Sequence, residues 1–467
     1  MPSRTEYARI LDETASEIRA LPGAQWRGEI TAAVGMLIKA TGLERRLSVG
    51  DICDVIHEKG TRLPCQVVAV KSDVTLLMSF GDTSGVAVGA KVEFQESQFQ
   101  IRMCDAWIGR VVNAMGQPID GRGPLPEGAF ATPFRNDPPP AYARRRVGAP
   151  LETGVRAIDV FAPICRGQRM GIFAGSGVGK STLLSMLARS SAADVNVIGL
   201  IGERGREVQE FLQRDLGEDG LSRSVVVVAT SDESPLARRQ AAYLTLAAAE
   251  DQRKRGRHVF CMVDSVTRFA HALREIGLAV GEPPSARGYP PSVFGELAHL
   301  LERAGTGMNQ QGDVTLAATV LIDGDDHDEP VADAVRGILD GHLVLDRRIA
   351  MRGRYPAIDI LGSVSRLAPD CYERGGYAEI AAASRNIIAT YEEKQEIVQL
   401  GLYKAGADPT VDRAIERYPQ IEDFLSQNRF ETTPSEEAFA RLADISGVTS
   451  AEERRNAIVE APIVEEL

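Results

Sequence analysis

Met170-Gly171-Ile172-Phe173-Ala174-Gly175-Ser176-Gly177-Val178-Gly179-Lys180-Ser181-Thr182 runs from an apolar stretch through a glycine-rich turn into a helical pattern that continues from Leu183 to Arg189. Strand, loop and helix in that order are what a phosphate-binding loop requires. The glycines let the backbone wrap closely, so that successive N–H groups and the helix N-terminus point at phosphate oxygens. Lys180 neutralises the β/γ charge and the Ser181 hydroxyl coordinates magnesium. The candidate nucleotide-binding set is therefore Ala174, Gly175, Ser176, Gly177, Val178, Gly179, Lys180, Ser181 and Thr182, with Ala174 standing where the general pattern has Gly. The alternative is a chance Gly-Lys-Ser in a loop, and the flanking strand and helix argue against it.

Working outward, apolar runs alternate with helical ones from Gly167 to about Asp264, the pattern of a parallel sheet with helices on its faces. The run Val195–Ile201 leads into Gly202-Glu203-Arg204-Gly205-Arg206-Glu207. This puts Glu203 at the carboxyl edge of the sheet, where ligand-facing groups belong. There it is a candidate to polarise the water that attacks phosphorus. Read alone, a Glu with Arg204 and Arg206 close by is more often a surface ion pair. Val259-Phe260-Cys261-Met262-Val263-Asp264 ends in an acid suited to hold magnesium through its water shell. The hydroxyls of Ser265 and Thr267 are placed to fix Asp264 and Glu203.

Further along, Tyr355 is a candidate to stack on an adenine face, and Arg366, closing Ser363-Val364-Ser365-Arg366, is a candidate arginine finger. Spacing alone leaves open whether Arg366 serves its own loop or a neighbour's, and an aromatic before proline is more commonly a packing residue. The acidic stretch from Asp323 to Glu329 fails the calcium-loop spacing, lacking Gly at the sixth and Glu at the twelfth position. It reads as a solvated turn or a contact for a basic partner. The basic run Arg144-Arg145-Arg146 reads as a solvated or phosphate-facing loop, and Arg253 to Arg257 as a helix end where cations suit the dipole.

The rest of the chain bounds the class. With 467 residues, 44% of them hydrophobic, it has room for about three domains. A net charge of -12 argues against a surface given over to nucleic-acid backbone. The six cysteines are scattered without any C-x-x-C, so neither a disulfide framework nor a zinc site is indicated and a reducing cytosol is expected. No apolar run is long enough to span a bilayer, so membrane contact is expected to be peripheral. Tyr7, Ile10, Leu11, Ala15, Ile18 and Leu21 form one amphipathic helical stripe, whose apolar face more often packs on its own protein and otherwise docks another chain. Between Trp26 and Phe99, short apolar runs (Ile30–Val34, Asp51–Ile56, Leu63–Val70, Val74–Met78, Ala90–Phe94) predict a small β-barrel or sandwich. Beyond Gly376 the pattern is helical, in stretches 378–389, 392–402 and 410–426. The expected domains are residues 1–25 (docking helix), 26–99 (barrel), 100–375 (nucleotide domain) and 376–467 (helical domain).

The loop AGSGVGKST, then GERGREVQEF at Gly202 to Phe211, then DSVTRFAHALREIGLAVGEPPSARGYPPSVF at Asp264 to Phe294, together resemble the protein-export ATPases of type III secretion, over nearly the whole chain. The GSGVGKST form is closer to the flagellar branch than to injectisome ATPases. That family is related to the α and β subunits of rotary ATP synthases. The resemblance implies a small N-terminal β-barrel, a central RecA-like α/β P-loop ATPase domain with a parallel sheet, and a C-terminal α-helical domain, assembled as a homohexameric ring. It implies ATP and Mg2+ as ligands. Lys180 and Ser181 match the phosphate and magnesium ligands, Glu203 the catalytic carboxylate and Asp264 the Walker B acid acting through water. Tyr355 matches the residue beside adenine, and Arg366 the finger supplied by an adjacent subunit. It further implies a FliH-like regulator on residues 1–21, a FliJ-like central stalk near Asp323–Pro330, and an export gate with substrates or chaperones. The implied place is the cytoplasmic side of the inner membrane.

Three other readings compete. An injectisome ATPase differs only in the secretion system served. A hexameric RNA translocase shares the core, but the acidic balance and two Trp weaken it. A non-hydrolytic nucleotide scaffold is disfavoured by Glu203, where such a subunit carries Gln.

Overall fold

The computed structural model describes residues 26–57, 60–322, 329–372 and 376–448. The expected N-terminal helix and the acidic loop at 323–328 lie outside them. The described residues divide into two compact units, one comprising residues up to Phe99 with Ala279–Gly281, the other comprising the remainder.

The first unit is a closed barrel of six strands: β1 (Arg27–Val34), β2 (Leu37–Thr41), β3 (Ile52–Ile56), β4 (Arg62–Val70), β5 (Thr75–Ser79) and β6 (Lys91–Glu96), in the order β1-β2-β5-β4-β3-β6. Closure removes the exposed edges that short strands would otherwise present. Ile30, Ile38, Val55, Val67, Leu77 and Val92 fill its interior. Cys53 and Cys65 face each other across β3 and β4, and burial pushes both thiols up to about 12. The strand β2 was not expected. It follows β1 through Gly35-Met36 alone, with Val34 paired to Leu37, and so begins just past the expected run Ile30–Val34.

The second unit is built on a sheet of β7 (Val111–Asn113), β8 (Arg169–Ala174), β9 (Val195–Glu203), β10 (Ser224–Thr230), β11 (Val259–Asp264), β12 (Asp313–Leu321), β13 (Gly341–Leu345) and β14 (Ile358–Ser365). The order is β14-β13-β8-β12-β11-β9-β10-β7, parallel except for the antiparallel edge strand β14. Val, Ile, Leu and Ala fill the central strands almost without polar interruption, as burial on both faces demands. The helix α1 (Arg156–Phe161) precedes β8, and α2 (Lys180–Ser190) follows the glycine loop. Between β10 and β11, α3 (Pro235–Lys254) packs across β9, β10 and β11. It starts on a Ser234 cap that accepts from the Ala237 N–H at 3.2 Å, with Pro235 in its first turn. The next helix, α4 (Val266–Val280), begins directly after Asp264.

At the C-terminal end of the described residues lie the helices α5 (Tyr377–Gln399), α6 (Pro409–Leu425) and α7 (Ser435–Ser446). The two stretches expected at 378–389 and 392–402 are one continuous helix that stops at Gln399, short of Leu402. Stacked rings join the bundle: Tyr391 on Tyr418 at 3.9 Å and Tyr377 on Phe439 at 3.7 Å between centroids. The bundle also packs on α1 of the nucleotide half, so both share one core.

In the arginine run at 144–146, expected as a solvated or phosphate-facing loop, Arg145 and Arg146 are exposed, and the structure adds fixed partners for two of the side chains. Arg144 donates to the carbonyls of Pro139 (3.1 Å) and Ala304 (2.9 Å), and Arg145 to the carbonyl of Gln311 (2.8 Å) and the carboxylate of Asp313 (2.6 Å). These two side chains pin an irregular segment whose own backbone makes few ladder bonds. The cations at 253–257 likewise have fixed partners: Arg253 donates to the Arg303 carbonyl, and Arg255 and Arg257 pair with acids.

His258, at the amino end of β11, is buried, and neither ring nitrogen has a hydrogen-bond partner among the described residues. Burial, then the Arg166 charge, lowers its pKa to about 4. The unfolded chain therefore binds a proton between pH 6.5 and 4 that the folded chain refuses. Stability from this group is full at neutral pH and falls as pH drops through that window, by about 3 kcal/mol in all. Urea midpoints at pH 7.5 and 4.5 are expected to fall further for the native chain than for His258→Leu. Parallel falls would contradict the assignment.

Candidate nucleotide site

The site gathers at the carboxyl edge of the sheet. β8 ends at Ala174, the loop turns through Gly177 (φ +77°) and Gly179 (φ +91°), and α2 starts at Lys180. Both glycines occupy the left-handed region that side chains disfavour. They bring the free N–H groups of the first turn of α2 to face the loop cavity, a ready site for anionic oxygens. Ser176 and Gly177 are exposed, and Lys180, Ser181 and Thr182 are half-buried.

Two and three strands away, β11 carries Asp264 and β9 carries Glu203 to the same edge. Lys180 Nζ donates to Glu203 Oε1 at 2.9 Å and also to Asp264 Oδ1. Burial works against the Lys180 charge, but Asp264 and then Glu203 outweigh it, and its pKa stands above the ordinary value. Burial, then the Asp264 charge, pushes Glu203 up to about 7 against the pull of Lys180. Glu207 shares a hydrogen bond with Glu203 and is held below the usual range by it. Gly202, immediately before Glu203, has φ +71°, and a Cβ there would lie 2.8 Å from the Arg268 side chain. The bulge between Ile201 and Glu203 that this glycine permits turns the carboxylate off the ladder toward Lys180.

The hydroxyl that fixes Asp264 is not one of those expected. Thr319 Oγ1, on β12, donates to Asp264 Oδ1 at 2.7 Å. Thr267 Oγ1 instead accepts from the Leu321 N–H at 2.9 Å, and Ser265 Oγ from the Arg268 N–H at 3.3 Å. The first ties α4 to β12 and the second is local to the start of α4, so neither orients the acids. Register explains the difference, because β11 and β12 run side by side and Thr319 follows Ala318, the partner of Val263. Arg347 is a second residue that the motifs did not reveal, donating to the Ser176 carbonyl in the loop at 3.4 Å.

Among the described residues no group of three His, Cys, Asp or Glu side chains is placed to hold a metal ion. Ser181 and Asp264 nevertheless fit a magnesium ion that completes its shell with phosphate oxygens and water. Both recorded donors of Asp264 act on Oδ1, leaving Oδ2 for that contact.

Tyr355 and Arg366 separate. The Tyr355 ring lies against the loop, where a Cβ on Gly179 would be 3.3 Å from its Cδ1, and the residue is 43% exposed. Arg366 follows the end of β14, and its N–H donates to the Asp340 carbonyl at 3.0 Å. Ser365 pairs with Gly341, and Gly341 with Met170, so Arg366 sits at the amino end of β8. The phosphate loop leaves the opposite end, about 13 Å along the strand and about 10 Å across from Ser365. Arg366 is exposed, and its guanidinium has no recorded partner among the described residues.

Comparison with known proteins agrees with this fold. Residues 154–365 match the ATP synthase alpha/beta family nucleotide-binding domain, 30–96 that family's beta-barrel domain, and 377–444 the T3SS EscN ATPase C-terminal domain. A flagellum-specific ATP synthase of Caulobacter vibrioides is 52% identical over 90% of this chain and 95% of its own. A type 3 secretion system ATPase of Xanthomonas euvesicatoria is 44% identical over 92% of this chain and 96% of its own. The assembled ATPase EscN of enteropathogenic E. coli, solved in complex with its central stalk EscO, superposes with a TM-score of 0.81 at 39% identity, covering 90% of this chain and all of that one.

Proposed function

The chain belongs to the ATP synthase α/β family, in its branch of flagellum-specific and type III secretion ATPases, and from that premise we propose that it hydrolyses Mg-ATP to drive export of flagellar proteins. The observation that carries the reading is Lys180 held between Glu203 and Asp264 beside a glycine loop. In that arrangement the loop N–H groups and Lys180 bind the β- and γ-phosphates. When bound, magnesium, held by Ser181 and through water by Asp264, neutralises charge that develops on the phosphate oxygens. Arrival of the γ-phosphate gives Lys180 a stronger anionic partner and frees Glu203 to accept a hydrogen bond from the attacking water. The raised proton affinity of Glu203 suits it to that task. Tyr355 faces the adenine base.

Arg366 cannot serve its own loop, and we assign it to the loop of an adjoining copy. A chain that carries Glu203 on one side and Arg366 on the other closes heterologous contacts into a ring, here a homohexamer. The central stalk is assigned to the segment from Asp323 to Pro330 and a stator-like regulator to residues 1–21, with the ring peripheral to the inner membrane. The 44% identity to a type 3 secretion system ATPase keeps an injectisome role as the second reading.

Specific ATPase activity measured against protein concentration, with Glu203→Gln as blank, tests the assembly. A steep rise that parallels oligomer formation is expected. Constant activity per subunit from a chain that remains monomeric would remove the trans site.

A further inference from the structure

The ring of Tyr355 packs against the phosphate loop, but two of the tethers that fix its backbone run to the C-terminal helices. The Gln427 N–H donates to the Tyr355 carbonyl at 2.8 Å. Arg354, one residue earlier and buried, pairs with Glu422 of α6 at 3.3 Å. Gln427 is itself only 4% exposed and fully engaged. Its Oε1 accepts from the Arg156 N–H at 3.0 Å, and its Nε2 donates to the carbonyls of Gly154 at 2.7 Å and Glu431 at 3.0 Å. The Arg156 guanidinium closes the far side, donating to the carbonyls of Phe424 at 2.7 Å and Ser426 at 2.6 Å.

We propose that Gln427 is a positioning residue for nucleotide affinity, setting the Tyr355 ring at the height above the phosphate loop that a purine base requires. The proposal rests on the reading of Tyr355 as the residue beside the base. Gln427 touches neither phosphate nor reacting water and works only through Tyr355. Shifting it takes the amide donor from the Glu431 carbonyl and leaves the buried Gly154 carbonyl with only the Thr433 N–H at 3.2 Å, so the amide has one favoured placement and the ring inherits it. A face fixed before the base arrives spares the ordering cost of binding. The signature is therefore in KM and not in kcat.

The test uses the full chain in its assembled state. Gln427→Leu is expected to raise KM for ATP about tenfold, with kcat held within about twofold, because stacking contributes to binding alone. Tyr355→Ala is expected to raise KM at least as far. The double variant should then be no worse than Tyr355→Ala, a dependence that a merely structural role for Gln427 would not produce. An unchanged KM in Gln427→Leu, a fall in kcat at constant KM, or effects that multiply in the double variant would each overturn the proposal. If Tyr355→Ala leaves KM unchanged, the base reading of Tyr355 fails and takes the proposal with it, a result distinct from failure of the tether. Should Gln427→Leu unfold, Glu422→Gln reads the second tether. A rise in KM at constant kcat supports the positioning, and an unchanged KM contradicts it.

Discussion

Replacing Glu203 by glutamine is expected to lower kcat by about 10²- to 10⁴-fold while changing KM for ATP by no more than about threefold. The amide has the shape of the carboxyl and keeps a contact for Lys180, whose other partner, Asp264, remains in place. What it loses is the capacity to take a proton. Glu203 is suited to that role because burial and the neighbouring Asp264 raise its proton affinity, whereas Asp264 is fixed by Thr319 and Lys180. Steady-state kinetics beside equilibrium nucleotide binding separate the two effects. A variant that retains kcat within about tenfold would move the base elsewhere, since that is less than positioned proton transfer contributes.

Arg366→Ala carries the second large effect, a loss of about 10³- to 10⁵-fold in kcat, the range for a charge that stabilises the transferring phosphoryl group from outside its own site. The structure makes an unusually clean separation here. Arg366 is exposed and its guanidinium has no recorded partner among the described residues, so its removal is expected to leave the fold of the isolated subunit intact. Thermal unfolding of the monomer should therefore match the native chain within about 1 °C, as for a surface substitution. The loss appears only in assembled material. If Arg366→Ala destabilised the monomer while its kcat stayed near native, the residue would be a structural one.

These two residues also mark where the sequence was legible. The glycine loop, Glu203 and Asp264 each end an apolar strand run, and period and composition alone carry such runs to one sheet edge. Thr319 was invisible because its role depends on the register of β12 against β11, a tertiary fact without a local pattern. The ties made by Arg144 and Arg145 were hidden for a related reason. Several of their partners are backbone carbonyls, which leave no mark on composition, so the ties do not show in a basic run that is otherwise largely exposed. For β2 the obstacle was the two-residue connection, which starts it just past the expected run Ile30–Val34. The position of Arg366 followed only from two successive strand pairings, β8 with β13 and β13 with β14.

The claim that each catalytic centre is completed by a neighbour is tested most directly by mixing two inactive variants. Glu203→Gln retains Arg366, and Arg366→Ala retains Glu203. Equimolar subunits that exchange before assembly place a native Glu203 opposite a native Arg366 at about a quarter of the contacts in a heterologous ring. ATPase activity is therefore expected to return in the mixture to a substantial fraction of native, while each variant alone remains inactive. A mixture that assembles as the native chain does and stays as inactive as its components would contradict the trans site.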